Sequence, residues 1–399
     1  MPAQPDGDPA PPDGALPDGL AWDRPLRAYV HVPFCTVRCG YCDFNTYTAG
    51  ELGGFDVDGY VQAVAQEMDL AVAVGEPRPL ASVFIGGGTP SLLPPPALAM
   101  LLGALRERFG IENGAEVTME ANPENVTPSA LDAWLDAGVN RLSLGMQSAD
   151  EAALRVLQRV HTPGAAVAAA TAAREAGFAH VSLDLIYGVP GQSPDSWRDT
   201  VLAAVSARPD HVSAYALGVE DGTALARQVR RGEVPAPDPD EAAAQYDIAD
   251  EVLSDAGFTW YEISNWARAG GQCWHNIGYW QGDNWWGFGP GAHSHVDGIR
   301  WWNVKRPATY RAMLAAGNSP AAGRETLTPD QQRLESVMLG VRLSEGFSVP
   351  EVPDERIARL LDDGLVENAD GARLRLTRKG RMLADAVVRV LLWDQGATG

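Results

Sequence analysis

The chain has 399 residues, of which 45% are apolar and 21% are charged, a composition typical of a folded globular protein. Its formal net charge is −21, from 31 basic and 52 acidic residues, so nucleic acid and anionic lipid surfaces are poor partners. No stretch approaches the roughly 18 uninterrupted apolar residues that a membrane span requires, and we expect no stable membrane insertion.

The first 24 residues are rich in Pro, Asp, Gly and Ala, and no basic residue precedes Arg24. Such a segment lacks both the apolar core of a secretory signal and the arginine-rich pattern of an organellar transit peptide. We therefore predict a disordered tail over residues 1–24 and a cytoplasmic protein. Because disulfides are disfavoured in that compartment, three cysteines within residues 35–42 require another explanation.

Residues 25–235 alternate short apolar or β-branched runs with longer amphipathic segments rich in Ala and Leu. The predicted strands are Arg27–Val32, Ser82–Ile85, Glu116–Ala121, Arg141–Leu144, His180–Ile186 and His211–Leu217. The predicted helices between them are Val57–Ala73, Pro96–Phe109, Pro128–Ala137, Ala165–Ala176 and Asp195–Ala207. Strands that alternate regularly with helices favour parallel β-α units, arranged as a partial barrel or as an open doubly wound sheet.

Residues 236–325 begin with a further predicted helix, Asp240–Gly257, and then change sharply in composition. This aromatic-rich segment holds eight of the twelve tryptophans of the chain, namely Trp260, Trp266, Trp274, Trp280, Trp285, Trp286, Trp301 and Trp302.

Residues 326–399 are predicted to form a small separate unit. Its elements are a helix at Gln331–Leu343, a helix at Glu355–Asp363, a hairpin over Leu365–Arg375 that turns at Asp370-Gly371, and a final helix from Thr377. This order is typical of a winged-helix-like α+β domain. Because the unit carries no dense basic face, we expect an interaction or capping role rather than DNA binding.

Cys35, Cys39 and Cys42 follow the first predicted strand directly, at the strand end where barrels and open α/β sheets place their sites. The spacing C-x₃-C-x₂-C lets three thiolates bind one iron–sulfur cluster, and three ligands leave one iron of a four-iron cluster open to an outside ligand. One alternative is a structural zinc site with His31 or Cys273 as fourth ligand. Another is a redox pair of Cys39 and Cys42, which leaves Cys35 unused.

This cysteine motif, with Tyr41 before its last cysteine, resembles the signature of radical S-adenosylmethionine (SAM) proteins. The preceding run Tyr-x-His-x-Pro-Phe-Cys at residues 29–35 is similar to the subgroup that contains oxygen-independent coproporphyrinogen III oxidase and the HemW-type heme chaperones. The resemblance extends from Tyr29 into the carboxyl-terminal unit. It implies a partial (β/α)₆ radical SAM barrel, a [4Fe-4S] cluster on the three cysteines, and SAM as a second cofactor.

The same resemblance implies a set of SAM contacts. The glycine run at residues 86–88 lets the backbone approach a ligand closely, and in the family it binds the amino group of SAM. Carboxylates suit the ribose hydroxyls, and an arginine suits the SAM carboxylate. Taken alone, each polar residue at a strand end could equally be a helix cap. The implied contacts are Tyr29, Tyr41, Gly87, Gly88, Thr89, Glu120, Gln147, Arg159, Asp184 and Ala216.

Two features separate the chain from the oxidase branch. Phe44 stands where that branch has a further cysteine, and only 28 residues precede Tyr29, where the oxidase carries a long folded extension. Both departures favour the chaperone branch.

The run His275-Asn-Ile-Gly-Tyr-Trp is similar to the HN-x-x-Y-W signature of the chaperone branch, in which the histidine is proposed to contact heme. It implies His275 as a heme ligand, because imidazole is a good axial ligand and aromatic rings suit a flat apolar macrocycle. The alternative is that His275 only forms hydrogen bonds among packed rings. His293 and His295 are secondary candidates.

The sequence therefore predicts a heme chaperone that binds a [4Fe-4S] cluster, SAM and heme, and delivers heme to recipient hemoproteins. One alternative is an oxygen-independent coproporphyrinogen III oxidase, which converts propionates to vinyl groups by oxidative decarboxylation. Another is a radical SAM enzyme with an unrelated substrate. The sequence leaves open whether SAM is cleaved and whether the chain forms a homodimer.

Overall fold

The computed structural model describes residues 5–52, 56–348, 352–370 and 373–392. Its strands are β1 (Leu26–Val32), β2 (Leu80–Gly87), β3 (Ile111–Ala121), β4 (Arg141–Gln147), β5 (His180–Tyr187), β6 (His211–Ala216), β7 (Thr259–Glu262), β8 (Asn265–Ala267), β9 (Asn284–Phe288), β10 (His293–Val296), β11 (Ile299–Asn303), β12 (Ala321–Thr326), β13 (Val366–Asn368) and β14 (Leu374–Leu376). Its helices are α1 (Val57–Val74), α2 (Pro95–Arg108), α3 (Pro128–Ala137), α4 (Glu151–Val156), α5 (Ala165–Ala176), α6 (Pro194–Ser206), α7 (Ala224–Arg230), α8 (Pro239–Asp255), α9 (Trp274–Gln281), α10 (Pro307–Ala315), α11 (Pro329–Gly340), α12 (Asp354–Asp362), α13 (Arg378–Met382) and α14 (Ala384–Leu392). None of the helices in these ranges combines the length and the apolar character that a transmembrane span needs.

Strands β1 to β6 form a continuous parallel sheet in which each strand pairs with the next along the chain. Each of the six strands predicted for this region overlaps one of them, and the predicted helices form as α1, α2, α3, α5 and α6. The β-α alternation therefore builds the expected partial (β/α)₆ barrel, with the carboxyl ends of its strands on one side.

The sheet continues beyond both ends of the parallel region, in the order β12-β11-β10-β9-β1-β2-β3-β4-β5-β6-β8-β7. Strand β9 pairs with β1 in parallel, and β10, β11 and β12 follow in antiparallel. Among the described strands, β12 and β7 are the two ends of this order and do not pair with each other, so the curved sheet is open on one side. The sequence predicts none of the strands β7 to β12, which arise from the aromatic-rich segment.

The two faces of the parallel strands differ in chemistry. Outward-facing residues such as Val83 and Ile85 are fully buried against the surrounding helices. The inward-facing positions include Thr118, Ser182 and Asp184, which line an internal cavity. Side chains alternate between the faces of a strand, and most barrels fill the inner face with branched apolar residues. This barrel instead encloses a polar interior.

The amino-terminal segment differs from the prediction of disorder. Residues 5–24 contain no helix and no strand longer than a single bridge, but they lie against the edge strand β12. Asp8 and Arg324 exchange two backbone hydrogen bonds, of 2.9 and 2.8 Å. Leu16 and Trp22 pack on the barrel core. An unpaired sheet edge offers hydrogen-bonding partners to any nearby chain, which the composition of the segment does not reveal.

Helices α11 to α14 and the hairpin β13–β14 form a small unit around its own apolar core, which includes Val341, Leu360 and Val387. The order of these elements matches the predicted winged-helix-like pattern. The predicted turn at Asp370-Gly371 lies partly outside the described residues, because Gly371 is not among them. The division of the chain into the four predicted segments stays a prediction.

Candidate cofactor site

A cavity of about 560 Å³ lies at the carboxyl ends of the barrel strands, a size within the usual range for small-molecule sites. Every residue that the sequence predicts as a main contact of the cluster, SAM or heme lines this cavity, whereas the secondary candidates His293 and His295 do not. The main contacts are Tyr29, Cys35, Cys39, Tyr41, Cys42, Gly87, Gly88, Thr89, Glu120, Gln147, Arg159, Asp184, Ala216 and His275. The fold thus brings together side chains from a long stretch of sequence.

The three cysteines lie on the loop between β1 and α1 as free, half-buried thiols. Hydrogen-bond donors from other elements approach two of the sulfurs. Thr89 Oγ1 lies 3.7 Å from Cys35 Sγ, and Arg159 Nη1 lies 3.3 Å from Cys39 Sγ. Donors of this kind stabilise negative charge on sulfur, which is the form that binds iron.

The two residues named as a possible fourth ligand of a zinc site, His31 and Cys273, are both engaged with other groups in the structure. His31 Nδ1 bonds to Tyr29 Oη at 3.0 Å, and His31 Nε2 bonds to the Asn45 carbonyl at 2.9 Å. The Cys273 thiol instead donates to Glu116 Oε1 at 3.3 Å. Within the described ranges, no three His, Cys, Asp or Glu side chains converge on one metal ion. In a cubane each cysteine binds its own iron, so three cysteines on one loop suffice for a cluster without a fourth protein ligand.

The glycine run at the end of β2 packs directly on the cysteine loop. The Gly88 amide donates to the Val32 carbonyl at 2.7 Å, and the Thr89 amide donates to the Phe34 carbonyl at 2.7 Å. A Cβ atom on Gly88 would lie 2.5 Å from the Phe34 carbonyl oxygen. Gly87 has a φ of +111°, which favours glycine. The run therefore has a packing role in addition to the ligand contact that the resemblance implies.

Replacing Gly88 with alanine is expected to displace the cysteine loop and to lower the iron content after anaerobic reconstitution. The overpacked contact should also reduce the free energy of unfolding by about 1–3 kcal/mol. The control is Gly103→Ala, because Gly103 is an exposed position in α2 with nothing within 4 Å of an added Cβ. Iron analysis and denaturant unfolding of both variants check the prediction, and equal behaviour would contradict it.

Two carboxyl groups, those of Asp184 and Glu120, line the cavity and interact electrostatically. Asp184 accepts hydrogen bonds from Ser143 Oγ at 3.0 Å and from Ser213 Oγ at 2.7 Å, and Glu120 accepts one from the Gly87 amide at 3.0 Å. Burial of Glu120 and, to a smaller extent, the negative charge of Asp184 raise the pKa of Glu120 to about 8. The hydrogen bond from the Gly87 amide lowers this pKa and so opposes the shift. Neighbouring acids of this kind favour a ligand that carries positive charge.

Arg159 has a packing role in addition to its predicted contact with SAM, which stays a prediction. It donates to Cys39 Sγ, to Asn122 Oδ1 at 2.8 Å and to the Gly145 carbonyl at 3.1 Å, so its guanidinium braces the cysteine loop. Its Nε is buried without a hydrogen-bond partner. Asn122 is not among the predicted site residues, although it follows Glu120 in the same strand-end motif.

Gln147 ends β4 in a left-handed conformation, with a φ of +61°, and it is 9% exposed. A non-glycine residue in this region costs roughly 1–3 kcal/mol and is held by its surroundings, often at a functional site. This conformation turns the chain at the edge of the cavity. No pattern in the sequence predicts it.

His275 lies in the cavity wall, where both of its ring nitrogens form hydrogen bonds, and its predicted role as heme ligand stays a prediction. Its Nδ1 bonds to Ser82 Oγ and its Nε2 bonds to Tyr279 Oη, both at 2.9 Å. The residue is 1% exposed, and desolvation lowers its pKa to about 3. A neutral imidazole has one lone pair on its ring nitrogens, and here both nitrogens are already engaged. The structure thus shows the hydrogen bonds of the alternative interpretation, and the heme contact stays open.

Comparison with known proteins agrees with the fold. The profile of the Radical SAM superfamily matches residues 29–204, and that of the HemN C-terminal domain matches residues 327–383. The solved structure of coproporphyrinogen III oxidase (HemN) from Escherichia coli superposes with a TM-score of 0.79 at 24% identity, over 93% of this chain and 91% of that chain. The fold and cavity define a radical SAM protein.

Two similar proteins show to which family within the radical SAM class the chain belongs. "Heme chaperone HemW" of Mycobacterium tuberculosis H37Rv is 52% identical over 372 residues, which cover 92% of this chain and 95% of that protein. The protein of the same name from Bacillus subtilis is 34% identical over 381 residues, covering 92% and 99%. The chain belongs to the HemW family.

Proposed function

We propose that this protein is a heme chaperone that holds a [4Fe-4S] cluster on Cys35, Cys39 and Cys42, binds SAM beside it, and delivers heme to hemoproteins. The observation that carries the proposal is the convergence of all ten implied SAM contacts on the cavity that contains the three cysteines. The names of the relatives support the heme part.

The residues around the cysteine loop would hold the cluster and its open iron. Thr89 and Arg159 donate toward two of the sulfurs and stabilise their thiolate form. When bound, a cluster with three cysteine ligands supplies one iron to which the amino and carboxylate groups of SAM can chelate.

The acidic wall would hold the rest of SAM. Glu120 and Asp184 face a ligand that carries a sulfonium and an ammonium group, and a positive charge between them would favour the ionised form of both carboxyls. Tyr29 and Tyr41 offer ring surfaces at the same cavity. We also propose a cytoplasmic location, which the four free thiols support.

Electron paramagnetic resonance of the reduced, reconstituted protein tests the SAM site. We expect the cluster signal to shift when SAM is added, because SAM ligates the open iron. The matched variant Asp184→Asn should keep the cluster signal but need roughly tenfold more SAM for half of the shift, since it loses a charged acceptor in the cavity. A wild-type spectrum that is unchanged by SAM would contradict the proposal.

A second assay separates the chaperone from the oxidase. The same protein is incubated anaerobically with coproporphyrinogen III, SAM and a reductant. We expect no protoporphyrinogen, because Phe44, which is 55% exposed, stands in place of the further cysteine of the oxidase branch. Steady formation of protoporphyrinogen would replace the chaperone by the oxidase.

A further inference from the structure

We propose that Glu116, paired with Arg141, is a positioning residue for His275: it fixes the start of α9 and so holds the imidazole at the place where the heme contact is predicted. This inference rests on the proposed function, because it concerns how the chaperone would hold heme. Glu116 is 7% exposed and is not one of the described residues that line the cavity, so it acts on a cavity ligand only through its neighbours.

Glu116 caps the amino terminus of α9 from the strand β3. The helix begins at Trp274, and the side chain of the cap residue, Cys273, bonds to Glu116 rather than to the helix. The Glu116 carboxylate accepts from the Trp274 amide at 3.1 Å and from the His275 amide at 3.0 Å. A carboxylate at this end of a helix satisfies free amides and interacts favourably with the helix dipole. The backbone of His275 is therefore held by a strand that is distant in sequence.

Arg141 holds the segment that leads into α9. Its side chain is 1% exposed and donates to the Gly271 carbonyl at 3.0 Å and to the Gln272 carbonyl at 3.3 Å. Its Nη1 also lies 3.5 Å from Glu116 Oε2, so each buried charge has a partner of opposite sign. The two side chains together bind groups of all five residues from 271 to 275. Because the two charges compensate each other, the pair serves to position the segment rather than to attract a charged ligand.

The imidazole of His275 is oriented from the same two strands. Ser82 pairs directly with Glu116 in the register of β2 and β3, and Ser82 Oγ bonds to His275 Nδ1 at 2.9 Å. A histidine that ligates a metal ion usually donates the N–H of its other ring nitrogen to such a partner. Nε2 is then the nitrogen for heme iron, which would replace the hydroxyl of Tyr279, a residue that also lines the cavity. With the backbone of His275 fixed, this exchange requires little other movement.

Heme titration of the reconstituted full-length protein, followed by absorbance, tests the inference. Glu116→Gln keeps the size of the side chain but loses its charge and one acceptor. We expect it to bind heme about tenfold more weakly and to lose the uniform histidine-ligated spectrum, as is usual when a partner behind a metal ligand is removed. Because this variant leaves the Arg141 charge unpaired, a second variant combines Glu116→Gln with Arg141→Met. It contains neither charge, and we expect it to fold and to show the same loss of heme affinity.

The matched control is Glu67→Gln. Glu67 is also a buried glutamate, 2% exposed, and it accepts from the Gly289 amide at 2.8 Å and from Asn303 Nδ2 at 2.6 Å. It is not one of the described residues that line the cavity, so this variant should keep the wild-type heme affinity and spectrum. Equal losses of heme affinity in Glu67→Gln and Glu116→Gln would overturn the inference, because they would trace the effect to a general change in folding.

A comparison with His275→Ala shows whether Glu116 acts through this histidine. If it does, Glu116→Gln should cause no further loss of heme affinity in a protein that already carries His275→Ala, since the two changes remove one interaction. A full additional tenfold loss in that protein would contradict the inference.

The outcomes separate the inference from the function on which it rests. Wild-type protein that binds no heme would overturn the proposed function itself. Wild-type protein that binds heme, together with unchanged affinity and spectrum in both variants of Glu116, would overturn only the role of Glu116.

Discussion

Replacing Cys39 with alanine is expected to abolish assembly of the iron–sulfur cluster. The cysteine loop then retains two thiols, those of Cys35 and Cys42. The fourth cysteine of the chain, Cys273, is hydrogen-bonded to Glu116. The loss also leaves the Arg159 guanidinium without its sulfur partner. Iron and acid-labile sulfide should fall to background after anaerobic reconstitution, together with the visible absorption of the cluster.

The matched control is Cys273→Ala. Its thiol is 6% exposed, and burial together with the charge of Glu116 raises its pKa well above the ordinary thiol value, so it is a poor metal ligand. This variant should retain the full iron content. Wild-type iron content in Cys39→Ala would contradict the three-cysteine assignment, and stoichiometric zinc in the wild-type protein would contradict the cluster itself.

The strands and helices of the barrel could be predicted because each of them is specified by residues that lie close together in the sequence. Helix Pro128–Ala137 begins and ends where the sequence predicts, since Thr127 caps its first turn and Gly138 ends it with a φ of +100°. The parallel strands are apolar on the face that packs against the helices, and Gly or Pro interrupts the pattern between elements.

The strands of the aromatic-rich segment were not predictable in this way. Strands β7 to β11 have three to five residues each, and their stability comes from partners that are distant in sequence. Strand β9 pairs with β1, so Trp285 lies beside Arg27 only after the whole barrel has formed. A pattern within one short window carries no information about such pairing.

The candidate site likewise has one part that the sequence predicts and one part that it does not. The spacing of the cysteines identifies the loop, because ligand spacing is a local property. The direction in which a side chain points is not a local property, because it depends on residues that are distant in sequence. Arg159 turns toward Cys39, and the ring of His275 is held by Ser82 and Tyr279, because neighbouring strands and α9 bring these groups together. Residue type therefore predicted which side chains line the cavity, and tertiary packing decided which neighbours each of them contacts.

Replacing Asp250 with alanine is expected to reduce stability strongly, because Asp250 joins α8 to the carboxyl-terminal unit through a buried ion pair. Its two oxygens accept from the Arg381 guanidinium at 2.7 and 2.8 Å, and the Trp266 indole donates to the same carboxylate at 2.9 Å. The side chains of the pair are 4% and 9% exposed. Arg381 also lies over the Trp260 ring at 4.7 Å.

The alanine variant leaves the Arg381 guanidinium buried without its carboxylate, a change that costs about 3–5 kcal/mol. Denaturant unfolding should report this loss, and we expect the carboxyl-terminal unit to become sensitive to limited proteolysis first. Asp69→Ala is the control, because Asp69 is 62% exposed in its ion pair with Arg108, and such surface pairs contribute at most about 1 kcal/mol. Equal small losses in both variants would mean that apolar contacts, rather than this ion pair, hold the carboxyl-terminal unit on α8.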